Sequence, residues 1–291
     1  MRRFPTAVGL FAALIALTPP ARQLAAADAP PKGQRVFTAG HSFHMPMPGP
    51  LAEIAKAAGI EGHKIAGTQG LGGSTVTQHW NLPDDKDKAR KAIKAGRVDV
   101  LTLSPHLMVP DEAIDKFTAL LLEHNPDGRV LIQASWYPFD GPPAAGKKFA
   151  NADRDAADPA ALRNTWSGWF GKLRAQAKAL NEEHKKQVVF VVPVGDAVIR
   201  LRERVKAGEV PGYAKQSDLF TDPIGHGKPP VAWLNAYCQF AVIYGKNPVG
   251  LPTPAAFKKQ AGDDADKLNR ILQEAAWAAV VAEPMSGVKT K

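Results

Sequence analysis

The chain of 291 residues has one cysteine, Cys238, so an intrachain disulfide is excluded. Within the apolar stretch Val231 to Tyr244 that thiol reads as a small buried side chain. A chain of this length buries enough surface to need no bridge. Long apolar runs are missing too. The N-terminal run, Ala7 to Leu17, falls short of the ~20 residues that span a bilayer. Arg2 and Arg3 precede it, and Pro19-Pro20 and Ala25-Ala26-Ala27 follow, which is the pattern of a secretory leader. The expectation is export, with cleavage after Ala27 removing segment 1–27 and leaving no stable membrane span. No cysteine lies near the expected cut, so a lipoprotein anchor is not expected.

Other absences narrow the function. The formal charge is +9, but the expected leader carries three arginines (Arg2, Arg3, Arg22) and no acid, which leaves +6. The lysines are scattered along helical segments, and no basic run is interleaved with aromatics, so nucleic acid is not an expected partner. The glycine-rich segment Gly67 to Thr75 is not followed by Gly-Lys-Ser/Thr and matches no dinucleotide fingerprint. There is no His-Glu-x-x-His helix and no carboxylate-rich cluster; His41-x-x-His44 alone is a weak pointer to zinc. Neither a metal nor an organic cofactor is expected. No protein partner is legible.

What is present is an alternation of strands and helices. Strands are read at Arg35–Ala39, His63–Ala66, Val98–Leu103, Arg129–Gln133 and Gln187–Pro193. Helices are read at Leu51–Ala58, Lys86–Ala95, Asp111–His124, Pro159–Glu183, Ala197–Ala207 and Pro229–Tyr244, with a helical tail over Ala255–Ala282. Strands that are apolar without alternation are buried on both faces, which belongs to a parallel sheet covered by helices. The reading is one domain over 34–285, with about five parallel strands in an α/β/α sandwich and no internal repeat. Ligands gather at the carboxyl ends of such strands.

Groups capable of chemistry fall at those ends. Ser42, in Gly40-His41-Ser42-Phe43, follows the first strand on a turn into a helix. A serine hydroxyl needs a base, itself oriented by an acid, to become a nucleophile. His226 lies between Gly225 and Gly227, and Asp222 stands four residues earlier. Gly72 and Gly73 can present backbone N–H groups to an oxyanion. Ser104 and His106 follow the third strand, and Trp136 and Tyr137 the fourth. Trp80, Trp136, Tyr137 and Trp233 are read as lying near the site edge, where aromatics stack on sugars.

These residues resemble the SGNH/GDSL hydrolase superfamily, exported esterases and acetylesterases with a flavodoxin-like fold. In that family the serine lies in Gly-Asp-Ser or Gly-Asn-Ser-Phe, a glycine after strand two donates to the oxyanion, and Asp-x-x-His precedes the last helix. The resemblance covers roughly residues 34 to 250, and the segment Asp222 to Leu251 looks like the final region of exported SGNH-like proteins of planctomycete type. It implies Ser42 as nucleophile, His226 as base, Asp222 as its orienting acid, and Ser42 with Gly72 or Gly73 as oxyanion donors. Three departures stand out. His41 replaces the usual Asp or Asn, the acid is four residues before the histidine rather than three, and Gly-x-Asn-Asp is missing. Ser104 or His106 would then replace the oxyanion asparagine, with His41, His106, Trp136 and Tyr137 against substrate. The expected substrate is an acyl ester, such as a carbohydrate O-acetyl ester. The alternative, a non-catalytic glycan-binding protein on the same fold, rests on the missing asparagine and the tryptophans.

Overall fold

The computed structural model describes Met1 and residues 31–142 and 148–289. Apart from Met1, the expected leader lies outside the described residues.

The first strand, β1 (Arg35–Gly40), is buried along nearly its whole length. It runs through a turn into α1 (Pro48–Ala57), whose proline at the first helical position is pre-set for helix and gives up an N–H that would have no partner there. Then follow β2 (Lys64–Gly70), α2 (Val76–Trp80), α3 (Lys88–Lys94), β3 (Val100–Ser104), α4 (Glu112–His124) and β4 (Arg129–Gln133). A long connection contains α5 (Asn151–Ala156) and leads to α6 (Pro159–Glu183), β5 (Val189–Val192) and α7 (Val194–Lys206). The chain closes with α8 (Pro229–Tyr244), α9 (Ala255–Ala261) and α10 (Ala265–Ala282). Among the described residues no helix is long and apolar enough to cross a membrane.

All five strands are parallel, in the order β2-β1-β3-β4-β5. The chain steps one way from β1 to β2, then reverses past β1 to β3, β4 and β5. Right-handed crossovers then force α1 onto one face and α3, α4 and α6 onto the other. The helices after β5 return to the first face, where α8 packs against α1 and α10 packs against α7 and α8. The result is the flavodoxin-like three-layer sandwich. The reversal leaves a crevice at the carboxyl ends of β1 and β3, where such folds bind ligands.

The register explains the first glycine of the serine motif. Gly40 is paired with Gly70 on one side and Ser104 on the other. A Cβ at Gly40 would stand 2.7 Å from the Ser104 Cβ and 3.0 Å from the His44 Cβ, so only glycine fits.

Several boundaries depart from the sequence reading. β2 runs on to Gly70, so half of the expected glycine loop is strand; the Phe37 ring fills the place where a Cβ on Gly67 would sit. The tail is two helices, broken at Gly262 with φ +65°. The helix α2 was not read; Thr75 and Gln78 cap it reciprocally, and the Asp111 carboxylate accepts from Val76 N and Thr77 N.

Candidate active site

Ser42 sits in a tight turn directly after β1, held by bonds from His44 N (2.9 Å) and Met45 N (3.2 Å) to the His41 carbonyl. His226 reaches it from the far end of the chain. Its Nε2 is 2.9 Å from Ser42 Oγ, and its Nδ1 is 2.6 Å from Asp222 Oδ2. An ionised carboxylate only accepts, so Nδ1 carries the proton and Nε2 turns its lone pair to the serine. The other carboxylate oxygen, Oδ1, accepts from Gly225 N (2.9 Å) and His226 N (3.2 Å). Burial pushes the Asp222 carboxyl up, but the bonds from the His226 ring and these two amides outweigh it and hold its pKa below the ordinary value. The four-residue spacing works because Gly225, with φ +106°, closes the turn between acid and base.

That loop is pinned at every residue from 222 to 226. Arg154 of α5, 0% exposed, donates to the Asp222 carbonyl (3.0 Å) and the Pro223 carbonyl (2.8 Å). Phe139 N donates to Ile224 O (3.0 Å), Trp136 Nε1 to Gly225 O (2.8 Å), and Thr221 N to His226 O (2.8 Å). Arg154 is held in turn by Asp140 (3.4 Å), whose carboxylate also takes a two-pronged bond from the buried Arg202 (2.8 and 2.7 Å). Phe139 and Asp140 both lie in the left-handed region, at φ 54° and 58°. The buried ion cluster thus holds a strained turn on one side and the acid–base loop on the other.

A second polar network lies beneath the serine turn. Gln133 Oε1 accepts from His44 Nδ1 (2.6 Å) and Asn235 (2.8 Å), while Gln133 Nε2 donates to Ser135 Oγ (2.7 Å). His44 Nε2 accepts from Thr102 Oγ1 (2.8 Å). Burial lowers the His44 pKa to about 4, so the ring is neutral. His41 is neutral as well: burial, with the nearby His44 and His106, lowers its pKa to about 3. Its Nδ1 accepts from Phe43 N (3.3 Å), and its Nε2 is 3.0 Å from Ser104 Oγ. The two histidines bond different direct partners, and Gln133, Ser135 and Ser104 link them. No group of three His, Cys, Asp or Glu side chains that would hold a metal occurs among the described residues.

Ser42 and His226 open on a cavity of about 590 Å³. Gly72, Gly73, His41, His106, Trp136 and Tyr137 line it, so the structure brings these predicted residues together. The glycine loop is steadied by Ser74, whose Oγ bonds the Leu71 carbonyl (3.0 Å) and His79 Nε2 (2.8 Å). Ser104 is a correction. It is 0% exposed and is not among the cavity's lining residues; its hydroxyl lies against His41 and Ser135 (3.4 Å) and is closed off from an oxyanion. The sugar platform is corrected in part: Trp136 and Tyr137 line the cavity, whereas the other two tryptophans do not. Trp136 is 3% exposed, with Phe43 stacked on it at 4.6 Å. Trp80 packs on Phe117 and Trp233 on Phe257, neither lining the cavity. The sequence reading missed Ser135, which directly precedes Trp136 at the end of β4, and it missed the apolar wall of Leu107, Phe139, Trp169 and Ile224. Strand-end position could have flagged Ser135. Nothing local marks Arg154.

No family model matches the chain, and no curated protein matches it. Solved structures do. A DUF4886 family protein from Bacteroides uniformis superposes with a TM-score of 0.53 at 13% identity, over 89% of this chain and 98% of its own. That similarity is one of fold. A protein from Parabacteroides merdae, provisionally named a GDSL-like lipase, gives 0.44 at 13% identity over 74% of this chain and 97% of its own. One from Slackia heliotrinireducens, provisionally named an SGNH hydrolase, gives 0.41 at 15% identity over 72% and 98%.

Proposed function

We propose that the protein is a serine esterase of SGNH type, with Ser42 as nucleophile, His226 as general base and Asp222 as the acid that orients it. The observation that carries this reading is the unbroken chain Asp222–His226–Ser42, with links of 2.6 and 2.9 Å, opening on a cavity. In the first half-reaction Ser42 Oγ bonds to the ester carbonyl carbon while its proton passes to His226 Nε2. The tetrahedral adduct expels the alcohol oxygen, which takes that proton. Water then attacks the acyl-serine with His226 again as base, releasing the acid and restoring Ser42. Asp222 keeps the proton on Nδ1 and stabilises the imidazolium. Backbone N–H groups of Ser42 and of Gly72 or Gly73 would hold the oxyanion, and Gly73, at φ +62°, has open space where a side chain would stand.

The reading favours catalysis over simple glycan binding, because a binding protein has no use for a histidine held in one tautomer against a serine. Export, with removal of segment 1–27, completes the proposal; N-terminal sequencing of the secreted protein tests that part. The catalytic part is tested by Ser42→Ala. That variant should keep the wild-type unfolding midpoint and lose hydrolysis of p-nitrophenyl butyrate by at least about 10³-fold. Full activity in a folded Ser42→Ala protein would sink the assignment.

A further inference from the structure

On the reading of Ser42 as an ester-cleaving nucleophile, we infer that the cavity selects esters carrying a bulky apolar group, a medium-length alkyl chain or an aryl ring, over acetyl esters of sugars. The first observation is chemical. Beyond Ser42 and His226, the wall is formed by Leu107, Tyr137, Pro138, Phe139, Trp169 and Ile224. Among the described residues the lining contains no Asp, Glu, Asn, Gln, Lys or Arg. A sugar ring brings several hydroxyls, and each one left without a partner on entering such a wall is penalised. Of the polar side chains that reach the lining, His41 is committed to Phe43 N and Ser104, and Ser135 to Gln133, which leaves His106, Tyr137 and the unpartnered Trp169 Nε1 as the few side-chain groups able to fix an ester's orientation.

The second observation is size. With roughly 30 Å³ for each heavy atom, an acetyl group fills roughly 90 Å³ and an octanoyl group roughly 270 Å³. Against a cavity of about 590 Å³, acetyl leaves most of the apolar wall in contact with water. The third is the rim. Ile224, in the acid–base loop and part of the lining, is 40% exposed. A large apolar side chain left in water at the cavity's edge suits an apolar substrate entering there.

The wall is also rigid, which selectivity requires. Phe139 and Ile224 are tied to each other by the 3.0 Å backbone bond, and Phe139 stands beside Asp140, which the two buried arginines hold. A firm apolar wall gains about fourfold in kcat/KM for each methylene it buries.

The test is a series of p-nitrophenyl acetate, butyrate and octanoate, with an acetylated xylo-oligosaccharide beside it. A second arm titrates octanamide, acetamide and xylobiose into Ser42→Ala, read by tryptophan fluorescence. The expected result is a rise in kcat/KM of at least about 15-fold from acetate to butyrate, continuing to octanoate. Leu107→Asp should collapse the octanoate-to-acetate ratio, and octanamide alone should bind Ser42→Ala. Acetate or the acetylated sugar as the better substrate, still requiring Ser42, would overturn the apolar selection and leave the esterase reading standing. Saturable octanamide binding by a protein that cleaves none of the esters would support the apolar site and remove the esterase reading. No octanamide binding would overturn the apolar site.

Discussion

Arg154→Met removes the guanidinium that holds the acid–base loop from behind while keeping most of the buried volume. The side chain gives up bonds to the Asp222 and Pro223 carbonyls and to Asp140. Asp140 keeps its two-pronged bond to Arg202, so the carboxylate is not left alone. The Asp222 carbonyl keeps Gly225 N at 3.1 Å, whereas the Pro223 carbonyl loses the partner that Arg154 supplied. A part-buried carbonyl left without its partner costs up to about 1–3 kcal/mol, and losing one of the two arginines around the buried Asp140 adds part of the ~3–5 kcal/mol seen when a buried pair is broken. The expected loss is therefore about 2–4 kcal/mol, against a total of ~5–15 kcal/mol for an ordinary domain. For a chain of this length that lowers Tm by roughly 4–16 °C. The loop also carries both Asp222 and His226, and small misplacements of catalytic groups cost up to about 10²-fold. Esterase assays well below the lowered Tm should show kcat down about 10- to 100-fold with KM within about threefold. Arg154→Lys, with one ammonium in place of the fork, should recover part of each loss. An Arg154→Met protein with unchanged Tm and full kcat would refute the claim that this side chain holds the loop.

Two further predictions follow from burial. His44, His41 and His79 are neutral in the fold, with pKa values near 4, 3 and 4, against about 6.5 when unfolded. The unfolded chain therefore binds more protons below pH 6.5, so their contribution is complete above that pH and is lost as pH falls toward the folded values. For His44 alone this amounts to roughly 3 kcal/mol, read as a falling urea midpoint between pH 7 and pH 4 that flattens in His44→Gln. A midpoint constant over that range would contradict the buried network. Separately, Ser104→Ala should lower kcat by less than about tenfold, far short of the ~10²–10³ expected when an oxyanion donor is lost. A loss of that larger size would return Ser104 to the oxyanion site.

Much of the site was legible because its signals are short. Gly40-His41-Ser42 marks a strand running into a turn, and Gly225-His226-Gly227 marks a histidine on an open loop with an acid one turn away. The sheet was legible from strands apolar on both faces, since only burial between helices tolerates them. The remainder depends on pairings between distant segments. Ser104 looked like a strand-end donor, but its pairing with Gly40 buries its hydroxyl under His41. Gly67 looked like loop because glycine usually breaks strands, whereas here it makes room for the Phe37 ring. Arg154 reaches the loop 68 residues away, and no local pattern encodes that reach. The tryptophans suggested a sugar platform by residue type alone, and packing turned their faces inward.

The most direct test of the central claim is covalent labelling with an apolar fluorophosphonate, the adduct being located by mass spectrometry of the digested protein. The account predicts one adduct, on Ser42, absent in Ser42→Ala and formed at least about 10³-fold more slowly in His226→Ala. An unlabelled Ser42, or labelling at the same rate without His226, would contradict it.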